Sequence, residues 1–175
     1  MDAVAVFGSS RTPAGEPLYA LARELGGALA RRGLEVRCGG YSGVMDGLAL
    51  GVRDAGGRVV GCTLDWFADS RTPNRHLDQV VPAEDLAGRL ERLLEGTRAA
   101  IAVGGGVGTL NEVFWLWTLL LHGKGEGRTL ILLGEAWEAL LQVLSTRFEV
   151  DPPVRALVRV TRTVEEAVDL AAEAR

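Results

Sequence analysis

The stretch AAIAVGGGVGTLNEVFWLWTLLLH, residues 99–122, decides how the rest of the chain reads. It opens on five apolar residues, 99–103, continuous rather than alternating, which is the pattern of a strand covered on both faces. Four glycines in five positions follow, at 104–106 and 108. The remainder, 109–122, reads as a helix and is apolar nearly all round. A strand, a glycine turn and a helix in that order form half of a βαβ unit. In such units ligands bind at the turn leaving the carboxyl end of a strand.

The same alternation recurs outward in both directions. Residues 3–7 (AVAVF), 34–38, 58–63, 129–133 and 157–160 read as strands, while 18–32, 44–55, 85–95, 135–148 and a segment from Val164 read as helices. In 18–32 the apolar positions Leu18, Leu21, Ala22, Leu25 and Leu29 share a face, and Gly33 stops the helix. This rhythm predicts a doubly wound, Rossmann-like α/β domain, a mainly parallel sheet with helices on both faces. A length of 175 residues suits a single domain over 1–175. Segment 64–84 breaks the rhythm and is long for a loop, which leaves open whether it folds over a site as a lid.

Composition excludes several classes. With 47% hydrophobic residues and a formal net charge of −4, the chain reads as a soluble, cytoplasmic domain and not as a nucleic-acid binder, which would need clustered basic residues. Eighteen residues are arginine and one, Lys124, is lysine. The most apolar run, 113–121, is about half the ~20 residues of a membrane span, and no basic-then-apolar signal opens the chain. Cys38 and Cys62 read as small core residues, and two cysteines with two histidines (His76, His122) predict no metal site.

Three strand-to-helix turns are rich in small residues: Gly8-Ser9-Ser10, Gly39-Gly40-Tyr41-Ser42-Gly43 and the turn at 104–109. The third is the sharpest signal. Its glycines admit a ligand close to the backbone, and the following helix offers unpaired N–H groups to a phosphate, with no lysine required. It is not a Walker A loop, and no GxGxxG follows the first strand. Thr109 and Glu112 have the spacing of a capping box. The alternative for Glu112 is a carboxylate facing the crevice, holding ribose hydroxyls and stabilising positive charge at an anomeric carbon. Arg89 and Arg92, one turn apart, are each able to face the crevice. Phe114, Trp115 and Trp117 leave the 109–122 helix as core or as subunit interface, with interface preferred; His122 suits its C-terminus.

GGGVGTLNE (104–112) resembles the PGGxGTxxE signature of the lonely-guy (LOG) family, long labelled possible lysine decarboxylases. VFGSSR near the start and CGGYSGVMDGLALGVRDAGGRVVG (38–61) are also similar to that family, and the likeness covers roughly 3–122. The resemblance implies a homodimer that hydrolyses the N-glycosidic bond of a nucleoside 5′-monophosphate to free base and ribose 5-phosphate; no cofactor is expected, and the apolar 109–122 helix is the expected dimer contact. It implies catalytic roles for Arg89 and Glu112, a phosphate loop of Gly105, Gly106, Val107, Gly108 and Thr109, and a substrate contact at Thr118. The base would leave toward the first two turns, where Ser9, Gly40 and Met45 are candidate contacts. The sequence departs from the pattern in four ways: Gly104 replaces a proline, Leu90 replaces the lysine of an Arg-Lys pair, the second glycine turn is one residue shorter, and Asn111 replaces an acidic neighbour of Glu112. A non-catalytic nucleotide- or molybdenum-cofactor-binding carrier of the same fold is the alternative. A pyridoxal phosphate decarboxylase is excluded, because the single lysine, Lys124, sits in a glycine-rich segment that reads as exposed.

Overall fold

The computed structural model describes residues 2–67 and 70–174. Strands β1 (Ala3–Phe7), β2 (Glu35–Cys38), β3 (Val59–Leu64), β4 (Gln79–Ala83), β5 (Thr97–Ala102), β6 (Thr129–Leu133) and β7 (Val158–Thr161) alternate with helices α1 (Pro17–Arg31), α2 (Val44–Asp54), α3 (Leu86–Leu94), α4 (Val107–Leu121), α5 (Glu135–Arg147), α6 (Pro152–Arg155) and α7 (Val164–Glu173). The strands form one parallel sheet in the order β4-β3-β2-β1-β5-β6-β7. The doubly wound, Rossmann-like architecture expected from the sequence is therefore the observed one.

The middle of the sheet is buried on both faces, and β1, at its centre, is apolar and buried at every position. Val4 and Val6 of β1 face the core shared with α1, α2 and α7; Ala5 and Phe7 face the core shared with α3, α4 and α5. Helices α1 and α2 approach to backbone contact. A Cβ on Gly26 would strike the Leu48 carbonyl, and one on Gly51 the Arg23 carbonyl. These glycines serve close packing, a use that helical periodicity does not reveal.

The chain order reverses at β1, which has β2 on one side and β5 on the other. That is the topological switch point, where a crevice opens beyond the strand ends. The turn after β1 is tied to both neighbours: Ser9 N–H donates to the Gly104 carbonyl after β5 (3.1 Å), and the Ser9 carbonyl accepts from Val44 N–H at the start of α2 (2.8 Å).

Segment 64–84 is more ordered than a loop. It holds a 3-10 turn at Asp65–Phe67 and an edge strand, β4, that pairs with β3. Pro82 hid that strand, since proline reads against a central strand but is tolerated at an edge. Between the two, Asn74 fastens the chain to the second glycine turn: its N–H donates to the Gly40 carbonyl (2.9 Å) and its Nδ2 to the Tyr41 carbonyl (3.1 Å). Residues 68 and 69 of the expected loop lie outside the described residues.

Candidate functional site

Helix α4 begins inside the glycine turn. Gly106 is its N-cap, extended at φ −100° and ψ −157°, and no side chain caps it. Residues 105–108 are exposed, Val107 to 84%, so the first N–H groups of the helix face open space. Around Gly106 and Gly108 nothing lies within 4 Å of where a Cβ would stand. An anion arriving there meets main-chain donors and the positive end of the helix dipole.

This start corrects the capping box. Thr109 is the third helical residue, not the cap, and it is buried. Its side chain packs on Gly105, where a Cβ would come within 2.6 Å of the Thr109 Cβ. Gly106 takes the cap position because its extended backbone needs no side chain there, and Glu112 is left free to point elsewhere.

Glu112 meets Arg89. Helix α3 is capped by Asp85, whose carboxylate accepts from Gly88 N–H at 2.8 Å, and it buries Leu90, Leu93 and Leu94. Arg89 projects instead beneath the ends of β2 and β3. Its Nε donates to the Cys62 carbonyl (2.8 Å) and its Nη1 to Glu112 Oε1 (3.4 Å). Its Nη2 occupies the space that a side chain at Gly39 would need, and Met45 Sδ closes the same space at 2.6 Å. Arg89, Glu112, Gly39 and Met45 thus converge. Arg92 is exposed, and its carbonyl accepts from Arg37. Leu90 lies in the core, so a lysine at this position would not point into the crevice.

Burial dominates the electrostatics of the pair. Glu112 is only 8% exposed, and burial lifts its carboxyl to about 7 despite the opposing Arg89 guanidinium. Burial also pushes the Cys38 thiol up to about 12 and that of Cys62 to about 11, so both are inert core residues.

The remaining expected contacts divide. Ser9 sits between the two turns, its Oγ accepting from Arg11 N–H (3.0 Å). Gly40 is buried at φ +77°, with Gly61 Cα and Thr63 Cγ2 each 3.1 Å from its Cβ position, so it shapes the turn. Thr118 is exposed and donates to the Phe114 carbonyl (2.7 Å). Within one chain the fold does not bring it to Glu112. It lies instead on an outer stripe of α4 with Phe114, Trp115 and Leu121, which are 38%, 37% and 49% exposed. Trp117 is core, its Nε1 donating to the Val154 carbonyl. The contribution that sequence reading missed is Gly39, whose missing side chain makes room for Arg89.

A family model described as possible lysine decarboxylase matches residues 45–171. The cytokinin riboside 5′-monophosphate phosphoribohydrolase of Mycobacterium tuberculosis is 32% identical over 116 residues, 66% of this chain and 62% of that protein. The chain thus spans about three-fifths of that relative's length. The protein of the same name from Rhodococcoides fascians is 31% identical over 175 residues, 94% of this chain and 86% of its own. Among solved structures, a structural-genomics target superposes with a TM-score of 0.76 at 32% identity, covering 97% of this chain and 98% of that one. The molybdenum cofactor carrier protein of Chlamydomonas reinhardtii superposes with a TM-score of 0.69 at 26% identity, covering 97% and 96%.

Proposed function

The chain belongs to the possible lysine decarboxylase family, the lonely-guy group, and from that premise we propose that it is an N-glycosidase acting on a nucleoside 5′-monophosphate. The single observation carrying this reading is the buried Glu112 paired with half-buried Arg89 beside an open, uncapped helix N-terminus at the switch point. The 5′-phosphate is held by the N–H groups of residues 106–109. Arg89 fixes the sugar, and Glu112, ionised, faces the anomeric carbon. There it stabilises the oxocarbenium-like transition state and orients the attacking water. Water adds to the anomeric carbon as the bond to the base nitrogen breaks, leaving free base and ribose 5-phosphate. The names of the mycobacterial and Rhodococcoides relatives support the substrate class.

Decarboxylation through pyridoxal phosphate does not fit these residues. The lone lysine, Lys124, is exposed and follows the far end of α4, a helix of 15 residues. At 1.5 Å per residue that is roughly 20 Å from the glycine turn.

The same reading makes the protein a cytoplasmic homodimer joined through the outer stripe of α4. Phe114 and Trp115 then lose their exposure to water, and Thr118 is carried to the subunit boundary, within reach of a partner's substrate. The alternative of a non-catalytic carrier draws on the fold shared with the Chlamydomonas carrier protein. Incubation with a panel of nucleoside monophosphates, followed by chromatography for free base, decides between them. Turnover is expected, abolished in Glu112→Gln; tight binding without turnover favours the carrier.

A further inference from the structure

A cavity of about 390 Å³ opens between the first turn, the second turn and the chain after the 3-10 turn, lined among others by Ser10, Arg11, Tyr41, Ser42, Arg71 and Thr72. None of these residues is used by the chemistry above. Two are arginines, and among the described residues neither guanidinium meets a carboxylate within ion-pair distance. Arg71 is held in place: its guanidinium carbon lies 4.3 Å from the Phe67 ring centroid and 5.7 Å from that of Tyr41. Stacking occupies the faces of the guanidinium and leaves its N–H edges available. Tyr41 is itself fixed, its hydroxyl accepting from Leu64 N–H at 2.8 Å. Ser42 donates to the Ser10 carbonyl (2.8 Å), which ties the two turns that form one wall. Two arginines and several hydroxyls around a concave space are the chemistry of an anion seat.

The direction of the crevice puts this seat at the base end of the substrate. The phosphate end is the turn after β5. Glu112 and Arg89 lie from there toward β2 and β3, where Arg89 is bonded to the Cys62 carbonyl. The cavity continues the same way, beyond β1 and β2. Neighbouring strands are about 4.8 Å apart, so it starts roughly 5–10 Å from the turn after β5, within the length of a nucleotide.

Resting on the hydrolase reading of the adjacent site, we propose that this cavity is a second anion subsite, through which the enzyme prefers a nucleoside monophosphate with an acidic group on its base over an unmodified one. The probes are AMP and its N6-succinyl derivative, which carries two carboxylates on the exocyclic amine. The full-length protein should hydrolyse the succinyl compound with a kcat/KM about ten- to hundredfold above that for AMP, the range for charge-assisted hydrogen bonds. In Arg11→Gln and, separately, Arg71→Gln the ratio of the two kcat/KM values should collapse toward one. Using the ratio removes any general loss of folding. Hydrolysis of AMP with no preference for the succinyl compound overturns the second subsite and leaves the hydrolase standing. Tighter binding of the succinyl compound, dependent on both arginines but without turnover of either, supports the subsite and overturns the hydrolase. Failure to bind either compound overturns both.

Discussion

Replacing Glu112 by glutamine tests the electrostatics of the candidate site without any substrate. Glutamine keeps the size of the side chain and still accepts from Arg89 Nη1, but it does not titrate. In the wild type the carboxyl sits at about 7 when folded, against 4.5 for an ordinary glutamate, and burial is the main cause. The folded pKa is raised, so on raising pH the unfolded chain gives up this proton first. Stability is therefore unaffected below about pH 4.5, falls as pH rises from there to about 7, and is level above. Linkage puts the loss between pH 5 and pH 8 at roughly 2–3 kcal/mol for this one group. For a domain of this size that corresponds to roughly 5–10 °C in Tm.

The assay is thermal unfolding of wild type and Glu112→Gln at pH 5, 6.5 and 8, at constant ionic strength. Buffers exclude phosphate, whose binding to the folded state would mask the trend. Subtracting the two curves removes every other titrating group. The pH-independent difference between amide and carboxyl beside Arg89 remains as a constant offset, so the change of the difference with pH is what reports the carboxyl. The variant should gain on the wild type chiefly between pH 5 and about pH 7 and then level off toward pH 8. A Tm difference that is flat with pH, or that moves the other way, refutes a carboxylate raised by burial and with it the argument that its charge is poorly compensated in the free protein.

Gly39→Ala introduces a Cβ into the space held by Arg89 Nη2 and, at 2.6 Å, Met45 Sδ; a shift of Arg89 by about 1 Å should lower kcat/KM for AMP roughly a hundredfold in steady-state assays. Gly105→Ala forces Thr109 away and should weaken inhibition by inorganic phosphate more than it lowers Tm, read by inhibition constants and thermal melts on the same preparation. Trp115→Glu places a charge on the outer stripe of α4 and should convert a dimer to a monomer in light scattering, while a monomeric wild type would remove the interface argument. Lys124→Met should leave kcat/KM for AMP at the wild-type value, and neither protein should develop an aldimine absorbance with pyridoxal phosphate.

The fold was legible because burial on both faces writes itself as unbroken apolar runs. β1 and β6 were expected at their observed limits, Ala3–Phe7 and Thr129–Leu133, since nothing competes with burial in the middle of a parallel sheet. β4 was not legible. An edge strand exposes much of its length, so its pattern weakens, and Pro82 reads against it although its missing N–H costs little at an edge. The start of α4 was misplaced for a related reason. Glycine capping leaves no side-chain signature, and Thr109 two residues on supplied a false one. Arg89 was separated from Arg92 only by the resemblance, because helical spacing allows either to face the crevice. Its partner at the end of β2, Gly39, acts through the side chain it lacks, and no pattern of residue types announces an absence.

The cost of burying Glu112 also bears on why such a pair would suit glycoside cleavage. A carboxylate already well solvated, or held by several donors, gains little when positive charge appears nearby. Glu112 has one long contact, 3.4 Å from Arg89, and a pKa that shows its charge to be poorly compensated in the resting protein. A phosphate seated at the α4 N-terminus does not relieve this, since a second anion makes ionisation harder. An oxocarbenium-like centre does, because its positive charge lies beside the carboxylate at low effective dielectric. The interaction is therefore stronger in the transition state than in the ground state, the condition for raising kcat instead of only tightening binding. It follows that Glu112→Gln should lower kcat far more than it raises KM. A variant that lost affinity for AMP but kept its turnover rate would make Glu112 a binding group and place the catalytic charge elsewhere.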